Sequence, residues 1–265
     1  MADTITTITD RDVRTDMARA EAGTFYGVGV GPGDPELITL KTARVLAAVD
    51  WIYHPAGAKG KDGFARRIVA GLGLPDDKFR GVSLCMTRDR ATDLSTYAAA
   101  AAAIGEEVQT GRSVAWITEG DPLLYSTFIH VYDELRARYP LLRTEIVPGI
   151  SSVQAAAARA EIPLANLDES IAILPATYGL NDLCQLLDDH ATVALLKVHS
   201  VIDQLRNVLQ QRPELRAFYI ENAGTAAEWS TEALADLDGR SLPYFSLVLL
   251  RRTAANRPAS LEQRA

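Results

Sequence analysis

The chain has 265 residues, with 27 Lys and Arg against 34 Asp and Glu and a formal net charge of −7. Apolar residues make up 48% and charged residues 23%, the balance of a folded globular chain rather than a disordered one. A general nucleic-acid binder is normally basic, so the acidic balance argues against a nucleic-acid partner. The length suffices for one large domain or two smaller α/β domains, each with its own core. Cys85 and Cys184 stand too far apart for a C-x-x-C motif and read as free thiols of a cytoplasmic protein. No run approaches the ~20 apolar residues of a membrane helix, so no membrane partner is expected.

Residues 1–22 are polar and rich in Thr, Asp and Arg, with no apolar core of a secretory signal. They are expected to form a flexible lead, and residues 254–265 a flexible tail. Between them short apolar runs alternate with helical patterns. Strands are expected at 25–30, 51–54, 81–84, 114–118 and 144–147, and helices at 36–49, 63–71, 93–110 and 122–139. Strand alternating with helix predicts an α/β fold with a parallel five-stranded sheet. The turn Val147-Pro148-Gly149 marks a seam. Beyond it the pattern predicts a helix at 151–159, strands at 171–174, 192–198, 217–221 and 244–250, and helices at 180–188 and 201–211. Their spacing does not settle strand direction. The expected organisation is a first α/β domain over 23–149 and a second, mixed α/β domain over 150–253.

The first strand runs into Gly27-Val28-Gly29-Val30-Gly31-Pro32-Gly33-Asp34-Pro35-Glu36. Alternating glycines let backbone N–H groups approach a ligand with no Cβ in the way. Asp34 stands where an N-cap belongs, Pro35 suits a first helical position, and Glu36 complements the helix dipole. A phosphate-binding P-loop needs Gly-Lys-Ser/Thr, and no Lys follows until Lys41. A dinucleotide fold needs G-x-G-x-x-G and an acid about 20 residues on, whereas the next strand ends Tyr53-His54-Pro55. A tight turn with no ligand remains the alternative for this loop taken alone.

The strand at 114–118 ends in Glu119-Gly120-Asp121-Pro122-Leu123-Leu124-Tyr125-Ser126. Ligands of open α/β sheets gather at the carboxyl ends of strands. Asp121 also has a simpler role open to it, as the cap of the next helix with Pro122 at its first position. With the glycine loop, this strand end and Val147-Pro148-Gly149-Ile150-Ser151-Ser152 in that order, the chain resembles the tetrapyrrole methylases. Members of that family use S-adenosylmethionine to methylate corrin precursors. The resemblance runs over most of residues 23–252 and takes in Glu221-Asn222-Ala223-Gly224-Thr225 and Pro243-Tyr244-Phe245-Ser246. The stretch Thr118 to Thr127, with Leu174-Pro175-Ala176-Thr177 and Leu196-Lys197-Val198, is similar to the branch that methylates C20 of precorrin-2 to give precorrin-3A. One departure supports that branch. The uroporphyrinogen methylases carry a catalytic Asp just after the second strand, and Pro55 falls at that place.

The resemblance implies S-adenosylmethionine as methyl donor, S-adenosylhomocysteine as product, and a two-domain fold with the donor held between the domains. The matching cofactor positions are Pro32, Glu119, Gly120, Asp121, Leu124, Ser151, Ser152, Lys197 and Gly224. It places Gly31, Gly33 and Asp34 beside the tetrapyrrole, and it implies a homodimer. A cobalt-bearing substrate is the rival within the branch. Methylation of a macromolecule and a non-catalytic tetrapyrrole carrier are rivals beyond it. An activated sulfonium methyl chiefly needs alignment with its acceptor carbon, so no catalytic acid or base is assigned. His54, Asp121, Tyr125 and His130 are the polar groups within plausible reach. No His/Cys cluster suggests a protein-bound metal.

Residues 59–90 carry eight Lys and Arg against four Asp within an acidic chain. Such a window suits a polycarboxylate substrate, because Arg pairs with carboxylate in bidentate fashion; a solvated face is the plainer alternative. Arg66, Arg67, Arg88 and Arg90 are the candidate substrate contacts. Replacing Arg88 or Arg90 by Ala is expected to raise the substrate KM while leaving cofactor affinity unchanged, measured by steady-state kinetics and calorimetry.

Overall fold

The computed structural model describes residues 20–57, 62–83 and 90–252. The chain divides into two compact units. Pro35–Gly149 and the residues up to Gly31 form the first, and the segment Pro32–Asp34 joins the residues from Ile150 onward in the second.

In the first unit, β1 (Thr24–Gly29), β2 (Trp51–Ala56), β3 (Phe79–Ser83), β4 (Val114–Thr118) and β5 (Arg143–Val147) form one sheet. Its order is β3-β2-β4-β1-β5 and every pairing is parallel, as the alternation of strand and helix predicts. Helices α1 (Leu40–Ala48), α2 (Phe64–Ile68), α3 (Arg90–Gln109) and α4 (Phe128–Arg138) complete the unit. Successive strand residues serve opposite cores. Phe25, Val114 and Trp116 pack with Ile104 of α3 and Phe128 and Leu135 of α4. Tyr26, Val28, Ala115 and Ile117 pack with Leu46 of α1 and Ile68 of α2. Burial on both faces makes the central strands read as unbroken apolar runs. Gly27 is small for a steric reason: a Cβ there would run into the Phe128 ring. That ring lies on the strand, stacked on Phe25 at 5.9 Å and on Tyr132 at 5.3 Å.

Two helix starts differ from expectation. Asp34 does not cap the long helix expected from residue 36. Pro35–Leu37 is a separate 3-10 turn, and Thr39 caps α1, its hydroxyl accepting the Thr42 N–H at 3.1 Å. Nor does a helix begin at Pro122. Residues 119–127 remain a turn and α4 starts at Phe128, whose N–H donates to Ser126 Oγ at 3.1 Å. Ser126 in turn donates to Thr118 Oγ1 at 2.8 Å, which ties the helix start back to β4.

The second unit holds β6 (Ile171–Pro175), β7 (Thr192–Leu196), β8 (Leu215–Glu221), β9 (Trp229–Thr231) and β10 (Ser246–Arg252), in the order β6-β7-β10-β8-β9. β6 and β7 are parallel, and β10 runs antiparallel to both β7 and β8. The sheet is therefore mixed. Helix α5 (Ser152–Ala160) packs its Val153 and Ala156 on Ala194, Phe218 and Leu249, while α6 (Leu183–Asp189) and α7 (Ile202–Gln210) cover the face of Val193, Tyr219 and Val248. The short edge strand β9 has no strand-like apolar alternation. It pairs with β8, and the Arg240 guanidinium lies 3.8 Å from the Trp229 ring centroid.

Asp50, just before β2, clips that strand to β4. Its Oδ2 accepts the Ser113 N–H at 2.7 Å and the Ser113 hydroxyl at 2.8 Å. Burial pushes the Asp50 carboxyl up, but the Ser113 hydrogen bonds and the charges of Arg112 and Lys78 outweigh it and hold the pKa below its ordinary value. A carboxylate with a lowered folded pKa contributes stability above its unfolded pKa and loses it as pH falls. Wild type is expected to melt above Asp50→Asn at neutral pH. The gap should narrow below about pH 4, as followed by thermal unfolding across a pH series.

Candidate active site

The sheet order places β1 beside β4, with the chain leaving β1 toward β2 on one side and leaving β4 toward β5 on the other. Such a reversal opens a crevice at the carboxyl ends of the strands. The turns after these two strands are joined backbone to backbone. Val30 N–H donates to the Thr118 carbonyl at 3.0 Å and Gly120 N–H to the Gly31 carbonyl at 2.8 Å. Gly31 and Gly120 both have positive φ, +84° and +67°, which only glycine adopts without strain.

The turn after β5 closes on the same point. A Cβ on Gly29 would stand 2.6 Å from the Gly120 carbonyl oxygen and 2.6 Å from the Gly149 nitrogen. A Cβ on Gly149 would run into the Gly120 carbonyl and stand 2.8 Å from the Gly29 Cα. Three strand ends thus meet through bare backbone. Asp121 bridges two of them: its Oδ2 accepts the Gly149 N–H at 3.1 Å, and its Oδ1 accepts the Leu123 N–H at 2.9 Å. This commitment explains why Asp121 does not cap a helix. Thr42 of α1 donates to the Gly29 carbonyl at 3.0 Å and holds the end of β1 from beneath. Tyr125, at φ 52°, is a non-glycine residue in the left-handed region within the β4 turn, a strained placement of the kind that collects at functional sites. Leu124 and Glu119 are half-buried in the same turn.

In the second unit a comparable gathering forms at the carboxyl ends of β7 and β8 and the start of β10. Lys197 follows β7 at φ 60°; its N–H donates to the Ser246 carbonyl at 2.7 Å, and its Nζ lies 5.0 Å from the Tyr244 ring centroid. After β8, Asn222 (φ 51°) and Gly224 (φ +77°) make a tight turn, and Asn222 N–H donates to the Phe245 carbonyl at 2.9 Å. The segment Pro32–Asp34 lies on this turn. A Cβ on Gly33 would run into the Ala223 carbonyl, and one on Gly224 would stand 2.7 Å from the Asp34 nitrogen. Gly224 N–H donates to Glu228 at 2.7 Å, and Glu228 pairs with Arg159 of α5 at 2.9 Å. Ser151 caps α5, its N–H donating to Gln154 Oε1 at 2.8 Å and its hydroxyl to the same oxygen at 2.7 Å. Ser152 is the first helical residue.

Of the cofactor positions expected from the sequence, Glu119, Gly120, Asp121 and Leu124 thus lie at the β4 turn of the first unit. Pro32, Ser151, Ser152, Lys197 and Gly224 lie in the second. Gly31 belongs to the first unit, Gly33 and Asp34 to the second. Among the expected substrate contacts, Arg66 is engaged with the protein, bonded to Asp76 at 2.5 Å with its guanidinium 3.7 Å from the Phe79 ring centroid. Arg67 lies 5.4 Å from the Phe64 ring centroid. Arg88 falls outside the described residues, and Arg90 begins α3. His130 stacks on Tyr97 at 5.0 Å. His54 is buried within β2, two residues before its end. Gly29 is read from the sequence only as part of the glycine loop and Asn222 only within the Glu221–Thr225 stretch, with no individual role, and Thr42 is not singled out. The signal for Asn222 was present, since an Asn shortly before a Gly favours a left-handed turn; Thr42 looked like an ordinary helical residue.

Among the described residues no helix is long and apolar enough to cross a membrane, and no group of three or more His, Cys, Asp or Glu is placed to hold a metal ion.

Comparison with known proteins places the chain in a family. The profile of the tetrapyrrole (corrin/porphyrin) methylases matches residues 24–237. The chain is 35% identical to the cobalt-precorrin-2 C(20)-methyltransferase of Salmonella typhimurium, covering 87% of this chain and 97% of that protein. It is 34% identical to the precorrin-2 C(20)-methyltransferase of Sinorhizobium sp., covering 88% and 97%. A solved cobalt precorrin-4 methyltransferase shares the fold with a TM-score of 0.64 at 20% identity, over 86% of this chain and 95% of that one. Extended identity to two C(20)-methyltransferases and a family match across both units lead to one conclusion: the chain belongs to the tetrapyrrole methylase family.

Proposed function

We propose that this protein is an S-adenosylmethionine-dependent methyltransferase of cobalamin biosynthesis that methylates C20 of precorrin-2, giving precorrin-3A. The observation that carries it is the identity of about a third, spread over nearly the full length of two C(20)-methyltransferases, one named for precorrin-2 and one for cobalt-precorrin-2. The site supports it. The bare turns at Gly29, Gly120 and Gly149 and the left-handed turns at Lys197 and Gly224 offer backbone edges without side chains in front of them. Adenine and an amino-acid moiety are readily read by backbone N–H and C=O groups.

S-adenosylmethionine supplies an electrophilic sulfonium methyl. The residues that would hold it are Pro32, Glu119, Gly120, Asp121, Leu124, Ser151, Ser152, Lys197 and Gly224. Their part is orientation, which contributes up to ~7–11 kcal/mol to a transfer between two bound reactants. Asp121 acts on the backbone: by fixing the β4 turn to Gly149 it sets the shape of the rim. Gly31, Gly33 and Asp34 are proposed to lie beside the macrocycle. A cytoplasmic homodimer completes the proposal, and light scattering checks the dimer.

The deciding assay incubates the enzyme anaerobically with S-adenosylmethionine and either precorrin-2 or its cobalt complex. One new methyl at C20 of precorrin-2 is expected, read by mass and by NMR, and absence of product with both macrocycles sinks the proposal. Gly149→Ala is expected to cost ~1–3 kcal/mol of stability by overpacking. It should also weaken S-adenosylhomocysteine binding at least tenfold by calorimetry, because the added methyl pushes the β4 and β5 turns apart.

A further inference from the structure

The proposed methylation leaves a proton to be removed, and the first unit holds a group suited to take it. We propose that His54 is the proton acceptor for the methylated carbon, a role that rests on the methyl-transfer function proposed above. His54 ends the apolar part of β2, and β2 is the strand next to β4. The strands are parallel and Tyr53 pairs with Trp116, so His54 lies level with Ile117, one residue before the end of β4. It lines a cavity of about 530 Å³ together with Asp62, Arg66, Asp76 and Ser83.

The ring is held in a definite way. His54 Nδ1 lies 3.1 Å from the Pro55 carbonyl oxygen. A carbonyl only accepts, so this contact requires the proton on Nδ1. Nε2 then carries the lone pair, and it has no hydrogen-bond partner among the described residues. Phe79 packs edge-on against the ring at 6.1 Å. A Cβ on Gly81 would stand 3.4 Å from its Cε1 and 3.6 Å from Nε2, so the glycine of β3 leaves room on that side. Burial, the largest influence, holds the imidazole pKa below its ordinary value; the Pro55 hydrogen bond and Asp62 oppose it, and Arg66 adds to the lowering. The resting ring is therefore neutral at physiological pH and able to accept a proton. Arg66 is itself bonded to Asp76, and Asp62 is the carboxylate whose charge favours the imidazolium once it forms.

The step balances. C20 forms its bond to the methyl carbon with π electrons of the macrocycle, and the electrons of the breaking S–C bond stay on sulfur as the neutral thioether. The C20–H bond then breaks, its electrons return to the macrocycle, and the proton passes to Nε2 and from there to water.

Two variants separate this role from a structural one. His54→Asn keeps a side-chain N–H for the Pro55 carbonyl and loses the basic nitrogen. It is expected to bind S-adenosylhomocysteine as wild type does and to lose about 100-fold in kcat, the lower range for a general base. Precorrin-2 deuterated at C20 should then show a larger isotope effect than with wild type, because proton removal becomes slow. His54→Ala should recover part of its rate with added imidazole. In the wild type, kcat/KM should fall on the acid side with a pKa below the ordinary ~6.5 of histidine. Nitrogen-15 NMR of the four histidines should find one neutral ring with its proton on Nδ1. Wild-type kcat in His54→Asn overturns the inference, as does a loss with neither isotope effect nor imidazole rescue; in both cases the methyl-transfer function stands. A wild-type enzyme silent on both macrocycles overturns the two together.

Discussion

Three polypeptide backbones approach at Gly29, Gly120 and Gly149 more closely than any side chain permits, and the rim of the first unit depends on that approach. Parallel strands leave their terminal carbonyls and the following N–H groups unpaired, and those groups must find partners in the turns. Here they find one another: Thr118 and Gly31 accept across the β1–β4 boundary, and Asp121 accepts from Gly149 across the β4–β5 boundary. A side chain at Gly29 or Gly149 would force the turns apart and strand these groups, and at Gly120 the positive φ favours glycine. Polar satisfaction and shape are thus one constraint, and the crevice left by the strand reversal inherits its outline from it.

The body beneath is conventional packing put to a specific use. The Phe128 ring fills the place a side chain at position 27 would have taken, so α4 lies close on β1 and its first turn is brought to the end of β4. Ser126 and Thr118 complete that join. The second unit reaches a similar end by another route. A mixed sheet brings two carboxyl ends and one amino end to one edge, and left-handed residues at Lys197, Asn222 and Gly224 fold the chain back there.

The first sheet is legible in the sequence because its inner strands are buried on both faces and read as short apolar runs between helices. The glycines of the loop are legible as well, since a chain does not alternate glycine without a steric cause. Asp121 is harder: an Asp before Pro carries the signature of a helix cap, and nothing local reveals that its carboxylate is claimed by Gly149, 28 residues away. The helix expected from residue 36 misled for a related reason, because Thr39 also carries an N-cap signal and is the residue that caps α1. The basic window from 59 to 90 shows the limit of counting charges. Lys78 donates to the Ala47 carbonyl, Arg80 lies over Trp51, and Arg66 is divided between Asp76 and Phe79. Cations placed together along a sequence are in part aromatic stacking partners and caps for carbonyls once the chain folds. The mixed order of the second sheet was beyond the pattern, since hydrophobic alternation is blind to strand direction.

The three residues Pro32–Asp34 are flanked by one unit and packed in the other. Gly33 and Gly224 interlock so tightly that neither tolerates a methyl group. The connectivity is therefore threaded rather than sequential: the chain visits the second unit briefly, returns for more than a hundred residues, and only then builds the rest of it. A fragment cut at the seam after Gly149 would carry a tripeptide without its receptor, and the complementary fragment would display an empty cleat at residues 223–225.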